Sequence, residues 1–145
     1  MTNKTLIALA LAVAEGAALA QTTPVGLWKT IDDDGKTEKS LVRITESGAA
    51  VSGRVEKIFD LSKASEVCRE CSDERKNQAV MGMTIIRGAK KGDDGAWGGG
   101  DILDPNNGKV YKLRLKPVDG GKRLEVRGYI GMPLLGRTQT WIRVE

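Results

Sequence analysis

The fold is decided by the stretch from Trp97 to Val144, which reads WGGGDILDPNNGKVYKLRL, then a turn, RLEVRGYIG, a short interruption and RTQTWIRV. Asp104 to Gly108 supplies Pro, Asn and Gly at one turn, where their backbone preferences suit a change of direction. Asp119 to Gly121 plays the same part before the next run. Within the runs, apolar and polar side chains alternate, as in VYKLRL. A period of two between short turns is typical of an antiparallel meander.

The rest of the chain adds similar strand-like runs and one interruption. Alternation stops between residues 60 and 80, which predicts a loop or a helical turn there. Gly98 to Gly100 predicts a bulge or sharp bend of the kind that barrel closure needs, and strict alternation in MTIIR places Ile85 and Ile86 on opposite faces. About eight strands joined mostly by tight turns predict one all-β domain, an up-and-down antiparallel barrel. The other predicted strands are Val25–Thr30, Lys39–Thr45, Ala50–Phe59, Met81–Lys90 and Ala96–Leu103.

Composition narrows the classes of function. The 145 residues include 18 Gly and no His, and the net charge is +4. The basic residues are spread along the strands rather than clustered, which argues against a nucleic-acid partner. Because His is the commonest general base, its absence argues against acid–base catalysis, and we predict no catalytic residues.

Residues 1–20 have the pattern of a cleavable signal peptide. Lys4 supplies a positive start, Leu6 to Val13 is a short apolar run, and Ala18-Leu19-Ala20 is a cleavage signal. Cleavage after Ala20 leaves residues 21–145 as a single barrel domain, periplasmic or secreted. The apolar run is too short to span a bilayer, so no stable membrane insertion is expected. The alternative is a short N-terminal helix packed on the body.

Two kinds of motif bear on redox and metal chemistry. Cys68 and Cys71 are predicted to form a local disulfide in an oxidising compartment, and a thiol-exchange site is the alternative. Two thiolates without His or further Cys make an incomplete zinc site. Asp32 to Gly35 and Asp93 to Gly95 resemble pieces of calcium loops but lack the distal ligands, so both are interpreted as hairpin turns. No metal and no cofactor are expected.

A Gly-x-Trp motif begins the first predicted strand. Gly26 and Trp28 form it, and the arrangement resembles that of lipocalins, where Trp plugs the closed end of a small barrel beneath a guanidinium. Arg143 is the first candidate for that guanidinium and Arg137 the second. The alternative is an ordinary core Trp with no Arg above it.

The chain resembles a bacterial family. The runs WGGGDILDPNNGKVY and LEVRGYIGMPLLGRTQTW, with the upstream GLW and CREC, are similar to the family called domain of unknown function 2147. The similarity covers nearly all of residues 21–145. It implies export and a lipocalin-like fold, and it implies no activity or catalytic residues.

The leading hypothesis for function is a non-enzymatic protein that binds a small apolar or amphipathic ligand inside its barrel. The last two strands carry a set of polar and aromatic side chains, Arg127, Tyr129, Arg137 and Trp141. These side chains line this site if their faces point inward, and they are surface or dimer contacts if they point outward. The predicted ligand-binding residues are Trp28, Tyr111, Arg127, Tyr129 and Trp141, and the predicted interior adds Val55, Leu113 and Val126.

Two alternatives stay open. The first is an envelope protein–protein interaction module with a filled barrel, whose contact surface is the apolar segment Met132 to Gly136. Two other roles for that segment are a lid over the open end and cover for a hydrophobic edge, and cover of an edge is slightly favoured. A homodimer through the outward faces of the last two strands is a further option. The second alternative is an enzyme that uses Cys68 and Cys71.

Overall fold

Eight antiparallel strands follow one another around a closed barrel in a computed structural model, which describes residues 22–145. The ring closes where Trp28 pairs with Arg143 and Lys29 with Ile142. The predicted all-β, up-and-down barrel of about eight strands is confirmed, and the predicted signal peptide lies outside the described residues. The strands are β1 Gly26–Ile31, β2 Glu38–Ser47, β3 Ala50–Ile58, β4 Thr84–Lys91, β5 Trp97–Leu103, β6 Val110–Val118, β7 Arg123–Tyr129 and β8 Arg137–Arg143.

The two ends of the barrel differ in their connections. Three short links, after β2, β4 and β6, gather at one end together with the start of β1, and we call this the closed end. The links after β1, β3, β5 and β7 gather at the other end, which we call the open end. Three short 3₁₀ turns, Leu61–Lys63, Asp119–Gly121 and Pro133–Leu135, lie in these links. Within residues 22–145, no helix has the length and apolar character to cross a membrane.

The core fills the closed half of the barrel. Alternation along each strand points one row of side chains inward, and packing of these rows removes them from water, which stabilises the fold. The fully buried members include Trp28, Val42, Ile44, Leu113, Leu115 and Leu124.

Two irregularities shape the sheet between β3 and β6. The bulge predicted at Gly98 to Gly100 is confirmed, since the β5–β6 register shifts between Trp97 and Gly100. A Cβ on Gly100 would lie 2.2 Å from the carbonyl oxygen of Arg87, so only Gly allows the strands to approach this closely. The prediction of opposite faces for Ile85 and Ile86 is wrong: Ile85 lines the space inside the barrel, and Ile86 packs against Gly53 on the same inner face. The β3–β4 register shifts around this point and turns both side chains inward.

The long link between β3 and β4 carries the disulfide. Cys68 and Cys71 are bonded, as predicted, and both are buried. Arg75, only 5% exposed, donates hydrogen bonds to Asp73 and to the carbonyl oxygen of Thr84, which ties the link to the start of β4. The link is therefore an ordered part of the open end rather than a free loop.

Candidate functional site

A cavity of about 380 Å³ occupies the open half of the barrel. Its volume falls in the range typical of small-molecule sites, roughly 300–1,000 Å³. The links at the open end form its rim, and inward-facing side chains of the strands form its wall. The apolar part of the wall comprises Val55, Ile58, Val80, Ile85, Ile102, Leu103, Val126 and Trp141.

Polar side chains in the cavity wall already bond to one another. The hydroxyls of Thr30 and Ser40 lie 2.8 Å apart. The indole Nε1 of Trp141 donates to Gln139 Oε1 at 3.0 Å, and Gln139 Nε2 donates to Asp33 Oδ1 at 2.8 Å. Because these groups bond to one another, they hold the wall in shape.

Arg137 lies at the rim and joins three parts of the molecule. Its guanidinium lies 3.0 Å from a carboxylate oxygen of Asp33 in the link after β1, and 2.8 Å from one of Asp104 in the link after β5. It also lies 5.5 Å from the ring centroid of Tyr111. Burial acts to lower the pKa of Arg137, but the hydrogen bond to Asp104 and the charge of Asp33 outweigh it, and the pKa is raised overall. The cation is therefore held in place by two carboxylates.

The rim has a mixed charge. Lys39, Lys63 and Arg137 face Asp32, Asp33, Glu66 and Asp104 around the mouth of the cavity. Lys39 approaches Asp32 to 3.7 Å. With cations and carboxylates interspersed, the rim suits the polar end of an amphipathic molecule, while the wall below suits an apolar one.

The predicted ligand-binding residues divide into three groups. Tyr111 and Trp141 line the cavity. Arg127 and Tyr129 lie on the outer face of β7, because they alternate with Val126 and Gly128, which line the cavity. Arg127 donates instead to the carbonyl oxygen of Pro133 and to the hydroxyl of Thr138, both at 2.8 Å.

Trp28 forms the third group, at the closed end of the barrel. It is fully buried within the core and does not line the cavity. Its indole Nε1 donates to the carbonyl oxygen of Pro24 at 2.7 Å. Of the five predicted residues, Tyr111 and Trp141 therefore line the cavity, whereas Trp28, Arg127 and Tyr129 lie outside it.

Arg143 covers Trp28. The guanidinium carbon lies 4.2 Å from the centroid of the indole. The guanidinium also donates to the carbonyl oxygens of Gly121, Val25 and Thr23 at 2.6–2.8 Å. Arg137, the second candidate for this place, is at the opposite end of β8. The pair Trp28 and Arg143 thus occupies the floor of the barrel.

The sequence contained a signal for one cavity residue that the prediction missed, Gln139. β8 alternates so that Arg137, Gln139, Trp141 and Arg143 share its inner face, from the rim to the floor. Once Trp141 was assigned to the interior, the same period of two would have added Gln139 to the cavity. Thr30 and Ser40 carried no such signal, because short hydroxyl side chains are common on either face of a strand.

The apolar segment Met132 to Gly136 covers neither the cavity nor a sheet edge. It does not line the cavity, and Leu134 and Leu135 are among the most exposed apolar side chains of residues 22–145. The expectation of a covering role is therefore wrong, because the 3₁₀ turn Pro133–Leu135 points its side chains away from the barrel.

Comparison with known proteins gives a family and a fold. The model of the family of uncharacterized proteins conserved in bacteria, DUF2147, matches residues 26–143. Among solved structures, protein HP1028 of the human pathogen Helicobacter pylori, described as belonging to the lipocalin family, matches with a TM-score of 0.71 and 22% identity. The match covers 83% of this chain and 82% of that one. No curated protein sequence matches the chain. The structural likeness shows a lipocalin-like fold.

Proposed function

Since the chain belongs to the DUF2147 family and folds as a lipocalin-like barrel, we propose that it is an exported, non-enzymatic protein that binds one small apolar or amphipathic ligand. The observation that carries the proposal is the cavity of about 380 Å³ in the open half of the barrel. A barrel filled with side chains would contain no cavity of this volume. The packed core below the cavity supplies a rigid floor.

The chemistry of the wall and rim supports an amphipathic ligand. The apolar part of a ligand packs against Trp141, Val126 and Ile102, and its polar end meets the charged rim near Arg137. A micromolar complex requires about 8 kcal/mol. At about 25 cal/mol per Å², that is about 300 Å² of apolar surface removed from water, before the cost of association is counted. This requirement favours a ligand with an alkyl chain or ring system over a small polar metabolite.

A non-enzymatic role is supported by the residues that are present. The sequence contains no His, and both cysteines are joined in one disulfide. The carboxylates Asp33 and Asp104 at the rim form ion pairs with Arg137. These pairs leave the rim suited to binding rather than to proton transfer.

Export is supported by two independent features. Residues 1–20 carry the pattern of a signal peptide, and disulfides persist mainly in oxidising compartments such as the periplasm. Cell fractionation with mass measurement of the mature protein tests this proposal. A mature N-terminus at Gln21 in the periplasm or medium supports it, and an unprocessed cytoplasmic chain contradicts it.

The binding proposal is tested with purified residues 21–145. Native mass spectrometry detects a co-purified ligand, and titration with saturated fatty acids of increasing chain length follows the fluorescence of Trp141, which lines the cavity. A saturable response in a one-to-one complex is expected. The variant Val126→Trp, which fills the cavity, should abolish it. Val110→Trp, which adds the same side chain at an exposed position on β6, should leave binding unchanged. No saturable response from any chain length would contradict the proposal.

The alternative of an envelope interaction module rests on the exposed apolar segment Met132 to Gly136. We rank it second because the open half of the barrel contains a cavity rather than the filled interior that this hypothesis assumed. A stable protein partner lost on Leu134→Asp, together with no ligand binding, would reverse the order.

A further inference from the structure

The link between β7 and β8 presents the most prominent apolar surface of residues 22–145. Ile130, Met132, Leu134 and Leu135 are 61%, 60%, 84% and 75% exposed. Large apolar side chains scattered singly on a surface need no explanation, but four within six residues form a patch, and such patches mark interaction sites. We call residues 130–136 the apolar tip.

The backbone of the apolar tip is held in one shape. The Nε of Arg127 donates to the carbonyl oxygen of Pro133 at 2.8 Å. Leu135 N donates to Met132 O at 3.0 Å, and Gly136 packs so tightly that a Cβ there would lie 2.5 Å from the carbonyl oxygen of Gly128. The leucines therefore point outward on a fixed support, which lowers the entropy lost when they enter an apolar environment.

The apolar tip stands beside the mouth of the cavity. Gly128 and Arg137, the last paired residues of β7 and β8, both line the cavity and flank the tip. A surface that covered the tip would therefore also face the mouth.

The apolar tip has an Arg on either side of it, in a chain whose net charge is +4. Arg137 is paired with Asp33 and Asp104. Arg127 donates to the carbonyl oxygen of Pro133 and the hydroxyl of Thr138 rather than to a carboxylate, so its positive charge stands at the base of the tip. Apolar side chains beside such a cation are a combination that binds the interface of an anionic bilayer.

From these observations we propose that the apolar tip inserts reversibly into the interfacial region of an anionic lipid bilayer and brings the mouth of the cavity to the membrane. Its part in ligand exchange rests on the proposed binding function, whereas the insertion itself does not. A lipid surface fits better than a protein or a second copy of the chain. A stable protein interface needs about 20–30 residues on each side, and the patch is four side chains on one protruding link.

The test is sedimentation of the mature protein with vesicles. Vesicles of equal parts phosphatidylcholine and phosphatidylglycerol are compared with vesicles of phosphatidylcholine alone. We expect binding to the anionic vesicles that weakens with salt, because the arginine contribution is screened. The double variant Leu134→Asp with Leu135→Asp should lower the apparent affinity about tenfold or more, since it removes the two most exposed apolar side chains of the tip and adds repulsion.

Val144→Asp is the matched control. Val144 is also exposed, at 50%, but it lies at the closed end of the barrel. The control should bind anionic vesicles as the wild type does, and thermal unfolding should show that all variants remain folded. An equal loss in the control and the double variant would overturn the proposal, as would a wild-type protein that sediments with neither vesicle.

Two further outcomes distinguish membrane insertion from dimerisation and from ligand binding. A wild-type dimer in analytical ultracentrifugation that the double variant dissociates would overturn the proposal in favour of a second copy of the chain. Vesicle binding that survives in Val126→Trp, the variant with a filled cavity, supports insertion of the tip independently of ligand binding.

Discussion

Our first prediction concerns Arg143, whose guanidinium joins three segments of backbone at the closed end of the barrel. Substitution by Ala removes hydrogen bonds to the carbonyl oxygens of Gly121, Val25 and Thr23, at 2.6, 2.8 and 2.7 Å. It also uncovers the indole of Trp28, whose centroid lies 4.2 Å from the guanidinium carbon. The substitution therefore opens the floor of the barrel at the seam between its first and last strands.

The magnitude follows from these contacts. Each hydrogen bond contributes about 1 kcal/mol net, and a partly desolvated cation–π contact adds about 1 kcal/mol. Burial lowers the pKa of Arg143 because the guanidinium loses part of its hydration. This loss of hydration offsets part of the stabilisation from the hydrogen bonds and the cation–π contact. We expect Arg143→Ala to lower the free energy of unfolding by about 3 kcal/mol. At about 3 °C per kcal/mol for a domain of this size, the melting temperature falls by about 10 °C.

Urea denaturation followed by Trp fluorescence measures the change, with calorimetry for the melting temperature. Arg123→Ala is the control: it lies in the same part of the barrel, its side chain is 61% exposed, and its ion pair with Asp119 spans 3.9 Å. It should lose less than about 0.5 kcal/mol. Arg143→Lys keeps the charge but not the planar fork and should recover only part of the loss. A loss in Arg143→Ala no larger than that of Arg123→Ala would refute the reasoning.

Three more predictions concern the long link between β3 and β4. Gly108→Ala puts a Cβ 1.9 Å from a carbonyl oxygen of the disulfide loop at a residue with φ of +70°, so we expect a loss above about 1 kcal/mol and faster amide exchange in that loop; wild-type exchange rates would contradict this. Serine at both Cys68 and Cys71 should cost about 2 kcal/mol, the chain-entropy value for so short a loop, and an unchanged melting temperature would count against it. Hydrogen bonds from Arg75 lower the pKa of Asp73 from 3.8 to about 2. The ionised Asp73 carboxylate therefore contributes to stability above pH 3.8, and this contribution is lost as the pH falls towards 2. Asp73→Asn should flatten the fall in stability over that interval, and equal slopes in variant and wild type would exclude this cause.

Much of the fold could be predicted because the barrel is built from local rules. Alternation and turn chemistry located the eight strands, and three successive Gly located the bulge at Gly98 to Gly100. The bulge that turns Ile85 and Ile86 both inward escaped prediction, although Gly53 of β3 lies at the register shift. It depends on how β3 and β4 meet, and a single strand does not carry that information.

The candidate site could be predicted only in part. Tyr111 and Trp141 line the cavity, and the sequence indicated an interior position because large aromatic side chains on an alternating strand favour the interior. Arg127 and Tyr129 were misplaced because alternation divides a strand into two faces but does not say which face is inside. Trp28 lies in the barrel interior, but at the closed end rather than in the cavity. The sequence did not indicate this, because the depth of a side chain along the barrel depends on the complete register.

The most direct measurement of the central claim is the position of a bound ligand inside the barrel. Nuclear Overhauser effects between a carbon-13-labelled fatty acid and the mature protein report which side chains touch the alkyl chain. The account predicts contacts to Trp141, Val126 and Ile102, which line the cavity, and none to Trp28, which lies buried beneath it. Contacts confined to the exposed side chains of residues 130–136, or none at all under saturating conditions, would contradict it.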